Sequence, residues 1–372
     1  MGDGAFDLAA VLAALERYPP LPADGARVAV VGGFVRDTWL GREPRELDLV
    51  VEGDAGELAR SLGGEVVVHE AFGTATATGS GWRVDIAMAR RERYPAPGAL
   101  PEVTPASIED DLARRDFSVN AIAVTLADGA LLAAQHALED LADAVLRVQH
   151  ERSFIDDPTR LLRLARYAER LGFAVEPQTA SLAARTNVAT VSGARLGGEL
   201  RLALAEPDPI AVLTRLGDKL PLAVERRSAE DALTLAAPES DRAMLLLGML
   251  SCEQAWLAQL ELTARELEVA IACQRAEAPV QVTPSALWRV WRGVPIEAVA
   301  VAGARGAADA ARHWIDELRH VRLEIGGDDL IAAGIAEGPQ IGRRLERTLA
   351  AKLDGELSGR EAELDYALKA EG

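Results

Sequence analysis

A glycine pair set between two short β-branched runs constrains the folding of this chain more than any other stretch. Residues 28–31 read VAVV, Gly32 and Gly33 break the run, and residues 47–51 read LDLVV. Such runs suit buried strands. Residues 34–40 leave room for two helical turns, which Gly41 and Pro44 end. The local reading is strand, tight turn, short helix, strand. Glycine lets backbone N–H groups approach a ligand closely, and the following helix offers its positive end to phosphate.

The second strand carries charge. Glu46 and Asp48 are two residues apart, so on an extended segment they point to one face. Two adjacent anions repel unless a cation lies between them, and hard oxygen ligands suit Mg²⁺. A phosphate cradle beside a carboxylate pair is the logic of metal-assisted phosphoryl or nucleotidyl transfer. The plain alternative is a Gly-Gly turn followed by one exposed acid and one capped acid. Residues 72–90 then alternate as a hairpin around a GSG turn. Asp85 falls in its second strand, as a candidate third carboxylate or as a solvated strand acid.

At 372 residues the chain has room for two or three domains. A net charge of −18 argues against a protein that coats nucleic acid generally, so any RNA contact needs a local basic patch. Cys252 and Cys273 lie far from any His cluster; buried, reduced thiols are expected rather than a zinc site or disulfide. No run is long and apolar enough to span a membrane. An N-terminus with Asp3 and Asp7 and no basic start suggests a cytoplasmic protein. Abundant Ala and Leu with 4% aromatic residues favour helix.

In chain order, residues 6–17 and 55–62 read as helices, 65–69 as a strand, and 94–105 as a Pro- and Gly-rich loop. Arg114 and Arg115 precede Asp116, with Asn120 one helical turn on. Arginine grips phosphate by paired hydrogen bonds, while Asp and Asn suit ribose hydroxyls. A surface salt-bridge cluster on a helix is the alternative. In residues 152–173, Asp156 or Asp157 is placed to cap a helix with Pro158 in its first turn. Leu161, Leu164, Ala165, Ala168 and Leu171 supply the apolar stripe. Asp156, Arg160 and Arg163 share another face, and the alternative is an ordinary amphipathic helix with ion pairs. An Asp–Arg pair also has the right donors and acceptors for the Watson–Crick edges of cytosine and adenine. Guanine and uracil present an N–H where Arg needs an acceptor. Such a pair would select C and A without a nucleic-acid template. From residue 176 onward helices and short loops predominate, and Trp288 and Trp291 at i, i+3 read as core. Near the end, Ile341, Leu345, Leu349 and Leu353 form an apolar helix face. Arg343, Arg344, Arg347 and Lys352 gather positive charge on the remainder, either an RNA contact or a solvated face.

Together these stretches resemble the class II tRNA nucleotidyltransferase and bacterial poly(A) polymerase family. The matching pieces are VVGGFVRD with ELDLVVEGDA, FGTATAT, RVDIAMARRERY, DLARRDFSVNAIA and FIDDPTRLLRLARYAERLGF, followed at the tail by GGDDLIAAGIAEGPQIGRRL. The resemblance implies an α+β chain: a polymerase-beta-like nucleotidyltransferase head with a mixed β-sheet over residues 1–146, a helical neck over 147–207 that reads the base, and a helical body and tail over 208–372 that grip the tRNA acceptor arm. It implies Mg²⁺ on Asp48 with Glu46, beside which the strand reading sets Asp85 as the candidate third carboxylate. Gly32, Gly33, Arg36 and Asp37 would form the triphosphate turn and its surroundings, and Arg115, Asp116 and Asn120 would handle ribose and phosphate. Asp157 and Arg160 would read the base, with Asp156 orienting Arg160, and Arg163 is a further candidate nucleotide-binding residue. Arg343, Arg344 and Arg347 would touch RNA. The implied reaction is attack of the tRNA 3′-hydroxyl on the α-phosphate of CTP or ATP. Two departures stand out. Glu46 replaces the usual aspartate, which leaves a catalytically weak RNA-binding relative as a further alternative. Asp156-Asp157-Pro158-Thr159-Arg160 replaces the usual Glu-Asp-x-x-Arg, and that spelling also resembles members adding only part of CCA, so A-only, CC-only and poly(A) addition are alternatives.

Overall fold

The two β-branched runs form adjacent strands in the middle of a seven-stranded sheet. The computed structural model describes residues 8–22, 27–220, 223 and 225–369. Its backbone divides into two units, Met1–Asp208 and Pro209–Gly372.

The first unit opens with helix α1 (Leu8–Leu15), shorter than the 6–17 expected; Phe6 lies outside the described residues. Then come β1 (Val28–Val31), α2 (Gly33–Trp39), β2 (Leu47–Val51), α3 (Ala55–Leu62), β3 (Glu65–His69) and the hairpin β4 (Thr74–Gly79) and β5 (Trp82–Met88). Strands β6 (Arg90–Arg93) and β7 (Glu102–Pro105), helix α4 (Ile108–Ala113), and strands β8 (Ile122–Thr125) and β9 (Leu131–Ala133) complete the head. The sheet order is β3-β4-β5-β2-β1-β8-β9. Only β2 and β5 run parallel, so the sheet is mixed, as the α+β reading requires. On one face Ala29, Val31, Val50, Ala121 and Ala123 pack with Ile108 and Leu112 of α4. That burial fixes strand register, because a slip of one residue would turn these side chains to solvent.

The parallel register is what positions chemistry. Asp48 pairs with Asp85 across β2 and β5, and Asp85 pairs with Thr76 across the hairpin. The three side chains therefore stand in one row on one face.

Two local expectations are corrected. Residues 94–105 are not all loop, because Glu102–Pro105 pairs antiparallel with Arg90–Arg93; Arg93 and Glu102, opposite each other, close at 2.6 Å. The helix expected through Asn120 stops at Ala113, and Ser118–Asn120 is a separate single turn. Between them Asp116 turns its carboxylate onto the Phe117 N–H, 2.8 Å away.

After α5 (Ala137–Ala142), β10 (Val145–Leu146) pairs in parallel with β11 (Ala174–Val175). Between these strands the expected helix is α7 (Arg160–Leu171), starting just after Pro158, and a short helix α6 (Ser153–Asp156) precedes it where only a cap was expected. Pro158 explains the break, since it forces the residue before it out of the helical region; Asp157 is extended at φ −133°, ψ 91°. Helices α8 (Pro177–Ala184) and α9 (Gly193–Leu204) close the unit.

Helices are the only regular secondary structure among the described residues of the second unit. Trp291 is buried and meets Trp314 edge-on at 6.1 Å, so it is core as expected. Cys273 is buried and Cys252 half-buried, both as free thiols. At the tail Ile341 and Leu345 pack against a small core of Ile325, Leu330 and Ala367. The basic face expected on helix Pro339–Leu353 is smaller than its residue count. Arg344 donates to the carbonyls of Ala367 and Leu368 at 2.7 and 3.0 Å. Lys352 reaches the buried Glu363 at 2.5 Å. Both cations tie down the last helix, while Arg343 and Arg347 stay exposed.

Candidate active site

One cavity of about 550 Å³ in the first unit gathers most of the residues singled out in the sequence. Its wall includes the turn, Gly32 and Gly33, and the paired carboxylates Asp48 and Asp85. Arg115, Asp116 and Asn120 reach it from the segment after α4, and Asp157, Arg160 and Arg163 from the start of α7.

Gly32 has φ +67°, a conformation side chains disfavour. A Cβ there would lie 2.6 Å from Arg115 Nη1, so the glycine makes room for the guanidinium. The Arg115 Nε is buried without a hydrogen-bond partner. Arg115 Nη1 lies against the glycine turn, and a guanidinium set beside such a turn is the half of a phosphate site that a protein supplies. A Gly32→Ala protein is expected to lose about 1–3 kcal/mol of stability through backbone strain and most of its nucleotide affinity. Urea denaturation and nucleotide titration check this; affinity unchanged in the folded variant would remove the turn from the site.

Asp48 is half-buried, and its carboxyl is pushed up to about 6. Burial is the main cause; Glu46 and Asp85 push the same way, and Arg115 opposes them. Asp85 accepts from Thr76 Oγ1 at 2.6 Å and from Arg83 Nε and Nη2 at 3.0 Å. Among the described residues no group of three or more His, Cys, Asp or Glu is gathered tightly enough to hold a metal alone. The donor chemistry nevertheless fits a hard cation, because Asp48 is strained by two neighbouring anions. Mg²⁺ characteristically takes one or two carboxylates and completes its shell with water and substrate phosphates.

Asp116 and Asn120 are buried as a pair. Burial alone would raise the Asp116 carboxyl, but Arg163, the hydrogen bond from Asn120 and Arg160 outweigh it and bring it down to about 2. Arg163 sits 2.7 Å from Asp116 and 3.3 Å from Glu199, and donates to the Tyr167 hydroxyl at 3.1 Å. Arg160 donates to Ser153 Oγ at 2.6 Å and to the Arg114 carbonyl at 2.8 Å. That leaves three of its five N–H groups for a ligand. Asp157 takes Thr159 and Arg195 on Oδ1; Oδ2 carries none of these bonds.

Four expected residues are placed elsewhere. Glu46 is exposed and lines a neighbouring cavity. Arg36 is buried beneath the turn, bonded to Asp37 and to the side-chain oxygen of Asn120 and stacked 5.3 Å from the Tyr167 ring; it braces the turn from below. Asp37 opens toward a different cavity. Asp156 pairs with Arg152 at 2.8 Å and makes no bond to Arg160, whose orientation comes instead from Ser153 and Arg114. The helix break at Pro158 is the reason, since it removes Asp156 from the face of α7.

The cavity also contains residues the sequence reading missed. Arg195, on α9, bridges Asp157 and the Gly98 carbonyl at 2.7 and 2.8 Å. Its partners lie 38 and 97 positions away, beyond any local pattern. Tyr167 takes Arg36, Arg163 and Arg170 around one ring at 4.9–5.5 Å. Its place on the same helix as Arg160 and Arg163 was the only available signal.

Residues 28–147 match the poly(A) polymerase head domain family. The chain is 44% identical over 203 residues to the A-adding tRNA nucleotidyltransferase of Halalkalibacterium halodurans, covering 51% of this chain and 48% of that protein. It is 32% identical over 396 aligned positions to the A-adding tRNA nucleotidyltransferase of Geobacter sulfurreducens, covering 92% of this chain and 45% of that one. The chain thus spans about half the length of these relatives. The Thermotoga maritima CCA-adding enzyme, solved in complex with tRNA, superimposes with a TM-score of 0.71 at 29% identity, covering 92% and 91% of the two chains.

Proposed function

Because the chain belongs, through its head, to the family of poly(A) polymerases and tRNA nucleotidyltransferases, we propose that it adds C, A or both from CTP and ATP to the 3′ end of tRNA without a nucleic-acid template. The observation that carries this reading is the single cavity joining the Gly32–Gly33 turn and Arg115 to Asp48 and Asp85 on one side and to Asp157 and Arg160 on another. A triphosphate, a metal-assisted reaction centre and a base reader fit within it. Residues 1–146 then act as catalytic head, 147–207 as neck, and 208–372 as the tRNA-binding part, with Arg343 offering exposed charge.

In this mechanism the turn and Arg115 hold the triphosphate and draw negative charge toward the leaving pyrophosphate. Asp116 and Asn120 position the ribose, and Asp157 with Arg160 selects the base. Asp48 and Asp85, with Glu46 beside them, would hold Mg²⁺, which when bound activates the attacking hydroxyl and supports the leaving oxygens. An Arg160→Ala protein is expected to lose its preference for CTP and ATP over GTP and UTP by roughly 5- to 150-fold, since one lost bidentate contact is worth about 1–3 kcal/mol. Competition assays with the four triphosphates check this; continued exclusion of G and U would discard the base-reading role.

The scope of addition is tested by extension of three tRNA transcripts, ending before CCA, after CC and after CCA, with CTP and ATP singly and together. Growth of both incomplete ends to CCA supports full addition. Growth of the CC end by one A supports A-only addition, the reading favoured by the two A-adding relatives. Addition of C alone or of long A tails supports the remaining variants. Binding without incorporation, rescued by Glu46→Asp, supports the catalytically weak relative. Among the described residues no helix is long and apolar enough to cross a membrane.

A further inference from the structure

Glu46 faces a second cavity in the same unit, of about 600 Å³, walled by Tyr18, Trp82, Arg45 and Arg83 and by Arg17 paired with Glu43 at 2.8 Å. The two cavities are lined by neighbouring positions of the same two chain segments: Glu46 and Arg83 line the second, and Asp48 and Asp85, two residues on, line the first. The charge of Glu46 reaches Asp48. Arg83 spans the row from the second side, gripping Asp85 at 3.0 Å.

The chemistry of this wall is specific. Tyr18 and Trp82 are half-buried aromatics. Tyr18 is fixed edge-on by Phe34 at 6.1 Å, with Arg17 over its ring at 5.2 Å. The Trp82 ring lies against Gly79, where a Cβ would come within 2.3 Å of it; the glycine lets the indole lie on the hairpin. Arg45 and Arg83 are 58% and 64% exposed, and the pairing of Arg45 with Glu206 is long, at 4.0 Å. Fixed aromatic surfaces among exposed arginines are what unpaired nucleotides require: rings for the bases and cations for the phosphates.

In-line transfer places the attacking hydroxyl and the leaving group on opposite sides of the α-phosphate. With the triphosphate among Gly32, Gly33 and Arg115, the acceptor must arrive at the carboxylates from elsewhere. We propose that this second cavity holds the unpaired 3′-terminal nucleotides of the RNA acceptor, with bases stacked on Trp82 and Tyr18 and phosphates at Arg45 and Arg83. The proposal rests on the nucleotidyltransferase reading for the acceptor's identity. It also gives the exposed position of Glu46 a role, at the boundary between acceptor and nucleotide.

The test uses the full chain and an RNA minihelix carrying 2-aminopurine at its penultimate 3′ position. Wild-type protein is expected to quench the probe by stacking. Trp82→Thr, which suits a strand, is expected to abolish quenching and raise the KM for RNA roughly 5- to 150-fold, leaving the KM for ATP and CTP unchanged. Arg45→Ser, in an exposed loop, is expected to raise the RNA KM severalfold, again without moving the nucleotide KM. Circular dichroism and Tm establish folding, and if Trp82→Thr does not fold, Arg45→Ser decides. Folded variants with wild-type quenching and RNA KM overturn the proposal, as does a wild type that transfers nucleotide without quenching. A wild type that transfers nothing but quenches the probe, with quenching lost in the variants, sinks the catalytic reading and retains the RNA site.

Discussion

Asp48→Asn protein is expected to transfer nucleotide at least about 10³-fold more slowly than wild type, with its fold intact. That loss corresponds to about 4 kcal/mol of barrier, the scale on which one preorganised charge acts in a site of this kind. The same substitution is expected to stabilise the metal-free protein. The Asp48 carboxyl is raised to about 6, so at neutral pH the folded state holds an anion that the unfolded state carries more easily. Between the ordinary carboxyl range and pH 6 the folded state binds the extra proton, so this destabilisation fades as pH falls through 6. The advantage of Asp48→Asn should therefore be largest above pH 6 and vanish below about pH 4. Single-turnover kinetics and urea denaturation in EDTA at several pH values check both halves. Unchanged turnover would remove Asp48 from the mechanism, and a variant no more stable at pH 7 would contradict the electrostatic account.

Arg163→Met is expected to cost about 3–5 kcal/mol at neutral pH, the penalty for stranding a buried charge whose partner has been removed. Arg163 holds Asp116 at 2.7 Å and Glu199 at 3.3 Å. In the wild type Asp116 is held down at about 2, so its stabilising contribution is complete above the ordinary carboxyl range and lost as pH falls toward 2. Without Arg163 the carboxyl rises from that low value, with Asn120 and Arg160 left to oppose its burial. Acid then neutralises the stranded anion, and the gap between variant and wild type should narrow as pH falls from 7 toward 4. Urea denaturation of both proteins at pH 7 and pH 4.5 measures the two gaps; equal gaps would mean that the loss is one of packing rather than of charge. Methionine preserves much of the buried stem, which makes the comparison one of charge.

The local elements of the head were legible because their signals are short-range. VAVV and LDLVV sit at the strands they predict, residues 55–62 form the expected helix, and the GSG turn joins β4 to β5. Misreadings fell where one residue overrode a periodic pattern. The helix expected after Asp156 and Asp157 forms, but it begins at Arg160, past Pro158, so Asp156 is off its face and the presumed pairing with Arg160 is not made. Glu102–Pro105 looked like loop by composition, yet its backbone finds a ladder partner in Arg90–Arg93. The tail arginines illustrate a further limit. A helical count groups Arg343, Arg344 and Arg347 together, but it does not tell which of them the neighbouring helix will recruit.

By itself the sequence determined the strand, turn and helix units and the kinds of charged groups available, because backbone sterics and hydrophobic periodicity act over a few residues. It also located the carboxylates and arginines through their order along the chain. Only the tertiary structure decided which of them share a cavity. The parallel register of β2 and β5 sets Asp85 beside Asp48 and leaves Glu46 at the edge of another cavity. Contacts across 38 to 97 positions bring Arg195 to Asp157 and Gly98. Such pairings are set by the burial of whole faces of sheet and helix, and no short stretch of sequence encodes that sum.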